Sequence, residues 1–411
     1  MTHHTRTMSL LSFLLLVTLV VAACNSDSPP AAEEQTDQSA DQAVDQPTDI
    51  PVSELDSVPP VDLRPTEDLS ADVEPTEAVV EEEPPPAADL SAVKEYVVAN
   101  AVAMKRASEA YAAAAQSYFE IVQDADFDYE AAWNDQQDVL GPLLIQSKQH
   151  WLDASLYYEL NEGIISGVPS LAVYDTLLDA GVSREDDTEA AFEWELVLPD
   201  GEVLNSPGNI FHTITEPTLY GTVDEYVGFS VDLDGNGEIE PGEVLPEANI
   251  FLGGAQGLDG ATAELNRTLE EWEPTIEEVF TALVTALPTM EEYFAEWQQS
   301  TYVAGPSSDE RSFVAVSRLL NVINVLNGLD ATYASVSLVV IEEDVSLDEQ
   351  ITADFEDLLA YVDEFYQQEQ DGTVFEAAEA EQLGDEVQER ATVLADQIAE
   401  AAALLNIDVS Q

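Results

Sequence analysis

Basic residues are scarce in this chain: 11 lysines and arginines face 84 aspartates and glutamates, for a formal net charge of -73 over 411 residues. Such a surface repels phosphate backbones and anionic headgroups, which excludes nucleic-acid binding and electrostatic adhesion to membranes. Cations are the natural partners, although hydration in saline surroundings accounts for much of the acidity and charge alone does not specify metal transport. Cysteine is almost missing. The one cysteine, Cys24, rules out an internal disulfide framework. Of the four histidines, His3 and His4 precede the first apolar run, which leaves His150 and His212. No His-Glu-x-x-His pair, Gly-x-Ser-x-Gly elbow or phosphate loop is present, so zincin-type peptidase and serine-hydrolase chemistry lack their residues.

What is there begins with an address. Arg6 precedes an apolar run over residues 10–20, followed by Val21, Ala22, Ala23 and Cys24. The run is too short to span a bilayer and has the form of a secretory signal. Cys24 stands where the pattern resembles a bacterial lipobox. The resemblance implies cleavage before Cys24, lipidation of its thiol, and a chain exported and held to the membrane of the cell envelope, either in the periplasm or on the outer face. Residues 24–88 are rich in Pro, Glu, Asp, Gln and Ser, and Arg64 is their only basic residue. Low hydrophobicity and self-repulsion cannot offset chain entropy, which predicts an extended acidic tether.

The sharpest motif is DLDGNGEIEPGE, residues 232–243. Asp232, Asp234 and Asn236 occupy positions 1, 3 and 5 of a twelve-residue loop, Gly237 position 6, and Glu243 position 12, the ligand order of an EF-hand calcium loop. Glu238 would supply its backbone carbonyl, Glu240 would act directly or through water, and Glu243 would bind with both oxygens. Ile239 fills the apolar position 8. The preceding GTVDEYVGFSV favours strand, and Pro241 and Pro246 interrupt an exiting helix. The expectation is an EF-type loop without two long flanking helices, holding structural Ca2+.

Elsewhere the period is helical. Val93, Val97, Ala101, Met104, Ala107, Tyr111, Ala115, Tyr118 and Ile121 recur at three or four residues along residues 90–124. A second pattern covers residues 129–165, with Pro142 expected to bend it. FEWELVLPDGEVL reads as a β-hairpin about Asp200 and Gly201. Further helices are expected over residues 256–272, 275–302, 309–340, 347–368 and 376–405. The chain is therefore read as all-α: a signal at 1–23, the tether at 24–88, a helical-bundle lobe at 89–190, an irregular insertion with hairpin and calcium loop at 191–250, and a second helical lobe at 251–411.

Three stretches carry a family resemblance. They are AAWNDQQDVLGPLLIQSKQHWLDASLYYE at 131–159, NIFHTITEPTLYGT at 209–222, and the closing segment at 371–405. Together they resemble the imelysin-like family of exported helical proteins, which includes the periplasmic component of Efe-type iron uptake systems. The second stretch is similar to the family's Gly-x-His-x-x-Glu segment, with Ile210 in place of glycine and Glu216 four residues after His212 instead of three. On a continuous helix both spacings share a face, but Pro217 biases Glu216 towards extended backbone. The resemblance implies a metal site at His212 and Glu216, joined by some of His150, Glu159 and Glu162. Imidazole with carboxylates suits iron or zinc better than calcium. The implied function is capture of iron for a membrane permease. The alternative is a surface structural or adhesion lipoprotein that calcium only rigidifies.

Overall fold

The computed structural model describes residues 88–239, 241–305, 308 and 311–409. The signal, Cys24, all of the tether before Ala88, and Glu240 lie outside these residues.

Helix α1 (Ser91–Asp124) buries the stripe that its spacing predicts, from Val93 to Val122. Asp128 then caps α2 (Tyr129–Gly167) by accepting from the Ala131 N–H. The expected bend at Pro142 is displaced. The non-helical dihedrals fall at Gln136, on the N-terminal side, the direction in which a proline ring strains the preceding turn. Helix α3 (Ala172–Asp175) runs directly into a π turn (Thr176–Ala180). The hairpin forms about Gly201 as expected, with β1 (Glu195–Val197) antiparallel to β2 (Val203–Asn205). A second π turn (Phe211–Thr215) leads into α4 (Glu216–Tyr220). Strands β3 (Val227–Ser230) and β4 (Val244–Pro246) pair antiparallel and flank the acidic loop, as the β-forming sequence before it requires.

Helix α5 (Ala248–Glu271) starts well before residue 256, capped by the Glu247 carboxylate accepting from the Ile250 N–H. Gly253, Gly254 and Gly257 obscure its period in sequence, yet they are where β1 and the Ile214 turn pack against it. Helices α6 (Ile276–Ala286) and α7 (Met290–Gln299) are separated by a short 3-10 turn at Pro288. Helix α8 (Arg318–Glu343) begins at the Ser317 cap, not near residue 309. The segment before it is a loop instead, and that loop reaches the candidate site. Helices α9 (Val345–Gln370) and α10 (Ala377–Leu404) complete the chain within two residues of expectation.

The described residues are mostly helical. Helix α1 packs on α2 and α5, α6 to α10 pack among themselves, and α2 touches α6 and α8. The buried apolar side chains form one connected cluster from Val93 to Ile407. The α2–α8 crossing is close, since a Cβ on Gly328 would lie 2.3 Å from the Leu160 carbonyl oxygen. That approach sets α8 against the part of α2 that carries Glu159 and Glu162.

Candidate metal centre

Two acidic residues on the buried side of α2 are unusual, because removing a carboxylate from water costs several kcal/mol. Glu159 and Glu162 are both there, 1% and 8% exposed. Asn321 of α8 donates to Glu159 Oε1, and the Tyr293 hydroxyl donates to Glu162 Oε1. The second oxygen of each carboxyl is buried without a hydrogen-bond partner.

The π turns bring the other two groups. Asn209 N–H donates to the Gly181 carbonyl at 2.8 Å and Ile210 N–H to that of Leu177 at 3.0 Å, so the backbone ties the two turns together. This places Asp179 of the first beside His212 of the second. His212 Nε2 and Asp179 Oδ1 approach to 2.8 Å, but off the line that a hydrogen bond needs, and both atoms lack a hydrogen-bond partner. The pair is therefore an ion-pair contact and not a directed bond. Ligand atoms of Glu159, Asp179 and His212 lie within 4.8 Å of one another.

Glu216 lies behind His212, away from Asp179. Pro217 sits in the first turn of α4, and Glu216 is helical, with φ -65° and ψ -53°. The expected extended backbone does not occur, because proline needs no N–H donor in a first turn. Glu216 is fully buried and accepts from His212 Nδ1 at 2.9 Å, Phe313 N–H at 2.7 Å and Ala315 N–H at 2.8 Å. Its oxygens are thus occupied behind the imidazole, fixing the ring with Nε2 facing Asp179. His150 stands apart from the cluster, half-buried on α2, and only its neighbour Trp151 reaches His212, ring edge to ring face.

Asp175, Asp179, Tyr293 and Arg318 do not stand out in the sequence. The first two sit four apart, Asp175 at the end of α3 and Asp179 in the π turn that follows it. Asp175 accepts from the Tyr158 hydroxyl at 2.6 Å. A cavity of about 350 Å3 is lined by Glu162, Asp179, His212, Tyr293 and Arg318, with exposed Asp186 and Glu292 also on its wall. Its acidic wall suits entry of a cation.

Protonation depends on burial. Burial pushes Glu159 up to about 7, Asp179 adds to this, and Arg318 and His212 oppose it. Burial likewise carries Glu162 well above the carboxylate range, with Glu159 adding, and lifts Asp175 to about 7 against the Tyr158 hydrogen bond. Burial pulls His212 down, but Asp179 and Glu216 outweigh it and hold the ring at about 10. The same contact takes Asp179 below its usual range against burial. At neutral pH the site therefore holds a proton on His212, which a metal ion would have to displace, and burial favours the protonated form of Glu162.

The acidic loop has its own geometry. Asp232 accepts from the Gly235 and Gly237 N–H groups, Asp234 from Asn236 N–H, and Glu243 Oε1 from Leu233 and Asp234 N–H. One oxygen each of Asp232, Asp234 and Glu243 lies within 4.8 Å of the others. Asn236 Oδ1 accepts from Glu238 N–H, and Ile239 is 60% exposed.

No protein-family model matches the chain, and no curated protein matches it.

Glu159, Glu162, Asp175 and His212 all bind more protons folded than unfolded. Stability of the metal-free chain therefore falls as pH rises, towards about pH 7 through Glu159 and Asp175 and towards about pH 10 through His212, with Glu162 acting in the same direction. Asp179 acts in the opposite sense, below pH 4. Thermal melts at pH 5, 7 and 9 are expected to show a decreasing midpoint, with a shallower slope in Glu162→Gln. A midpoint that rises with pH, or an unchanged slope in the variant, contradicts this assignment.

Proposed function

We propose that this chain captures iron at the centre formed by Glu159, Glu162, Asp179 and His212 and passes it to a membrane permease, as an exported protein anchored through a lipid on Cys24. The observation that carries the reading is the convergence of Glu159, Asp179 and His212 within 4.8 Å, beside Glu162: Glu159 Oε2 and Glu162 Oε2 are buried without hydrogen-bond partners, and Asp179 Oδ1 and His212 Nε2 meet only as an ion pair. Buried polar atoms are rarely left without hydrogen bonds, and a cation among these side chains would satisfy them. Three carboxyl groups with one imidazole form a donor set of intermediate hardness that suits iron. The resemblance to the imelysin-like family points the same way, with Glu216 orienting His212 where the family motif has its glutamate.

In the same reading, residues 232–243 hold a structural calcium ion. The inward oxygens of Asp232, Asp234 and Glu243 support it, as do the positive φ angles of Gly235 and Gly237, 78° and 95°, which allow the loop to turn between its acceptors. Lys148 of α2 donates to the Gly242 carbonyl at 2.6 Å, so an ion there would stiffen the seat of α2.

Iron binding to the purified chain, measured by calorimetry, is expected to be lost in His212→Ala and weakened about 10- to 100-fold in Glu216→Gln, which leaves the cluster's donors intact but loosens the ring. Equal affinity in wild type and both variants would leave the structural-lipoprotein alternative. Separately, Asp232→Ala is expected to remove most calcium binding without changing iron affinity. Unchanged calcium calorimetry would dispose of the loop assignment.

A further inference from the structure

Arg318 is hard to explain as a structural residue. It opens α8, is 4% exposed, and lines the same cavity as Glu162, Asp179 and His212. Its Nε and Nη2 both reach Glu296 Oε2, at 2.7 and 2.6 Å. The guanidinium is also held over the Phe313 and Tyr293 rings, 3.8 and 4.4 Å from their centres. Nη1 is buried with no hydrogen-bond partner. A charged donor is thus fixed on three sides and left open on a fourth, in a chain with so many acidic side chains that finding it a mate would be easy.

The metal site has a matching deficit. Glu159, Glu162, Asp179 and His212 offer four donors if each gives one, fewer than an octahedral ion takes. An oxyanion with two oxygens would complete the shell and accept from the free guanidinium N–H. Arginine is the side chain that best fits such a planar group.

We propose that the centre binds its metal together with a small carboxylate-type oxyanion, carbonate or a compact carboxylic acid, held between the metal and Arg318 Nη1. The proposal rests on the metal reading above. Without a cation, the neighbouring carboxylates repel any anion, so the two ligands bind only together. Basic side chains are otherwise rare, yet Arg184 and Arg311 line the larger cavity, of about 770 Å3, that also reaches His212, together with Glu185 and Asp186.

The test uses the metal-free full chain and ferrous chloride under anaerobic conditions, in carbonate-free buffer and then with radiolabelled bicarbonate, oxalate or citrate. Iron affinity is expected to rise about tenfold or more with one of these anions, with one label retained per iron after desalting; the label identifies the source. The anion dependence should vanish in Arg318→Met and persist in part in Arg318→Lys. Iron bound equally in every buffer with no label retained overturns the anion and leaves the metal centre standing. No iron retained under any condition overturns both. Should Arg318→Met fail to fold, the label count on the wild type decides.

Discussion

Carboxylates crowded out of water must be protonated, paired or bound to a cation, and this requirement governs the middle of the molecule. Glu159, Glu162, Asp179 and Glu216 are all buried near His212 and Arg318, and of these Glu162, Asp179, His212 and Arg318 line one cavity. Each neighbouring element answers to that imbalance. Asn321 and Tyr293 donate to the glutamates of α2, the 311–317 loop turns two N–H groups onto Glu216, and the paired π turns press Asp179 against His212. Four atoms still lack hydrogen-bond partners. A site assembled for stability alone would have apolar residues of similar volume here, which are often the more stable choice. The arrangement is better explained by what it is built to accept.

The π turns explain how so short a stretch delivers two of these groups. An i to i+5 turn rotates the residues after it relative to an α-helix, and such turns recur at functional sites. Here Thr215 N–H donates to the Ile210 carbonyl at 2.9 Å, and Thr215 Oγ1 accepts from Trp151 Nε1 at 2.7 Å. Trp151 thus links the His212 turn to α2 about two turns before Glu159. The proposed calcium loop leans on the same helix nearer its start, where the Leu233 carbonyl oxygen lies beside Gly141. Both candidate ion sites therefore bear on α2.

How far this was legible in the chain depends on the range of the contacts involved. Helices α1, α9 and α10 could be read from apolar spacing because one face of each is buried along its length. Helix α5 could not be read from its start, since close packing there calls for glycine and glycine erases the period. His212, Glu159 and Glu162 stood out as polar residues in apolar or motif-like surroundings. Asp179 and Arg318 did not, because their meaning comes from partners far along the chain: Asp179 from a turn paired across the 181–209 segment, Arg318 from a helix that begins later than its sequence suggests. Glu216 was legible as a residue but not as a role, which the Phe313 and Ala315 N–H groups assign.

The most direct measurement is anomalous diffraction at the iron edge from crystals of the iron-loaded chain. The account predicts one strong peak bounded by Glu159, Glu162, Asp179 and His212, with Glu216 on the far side of the imidazole. Iron density confined to exposed acidic side chains, with that cavity unchanged, would contradict it.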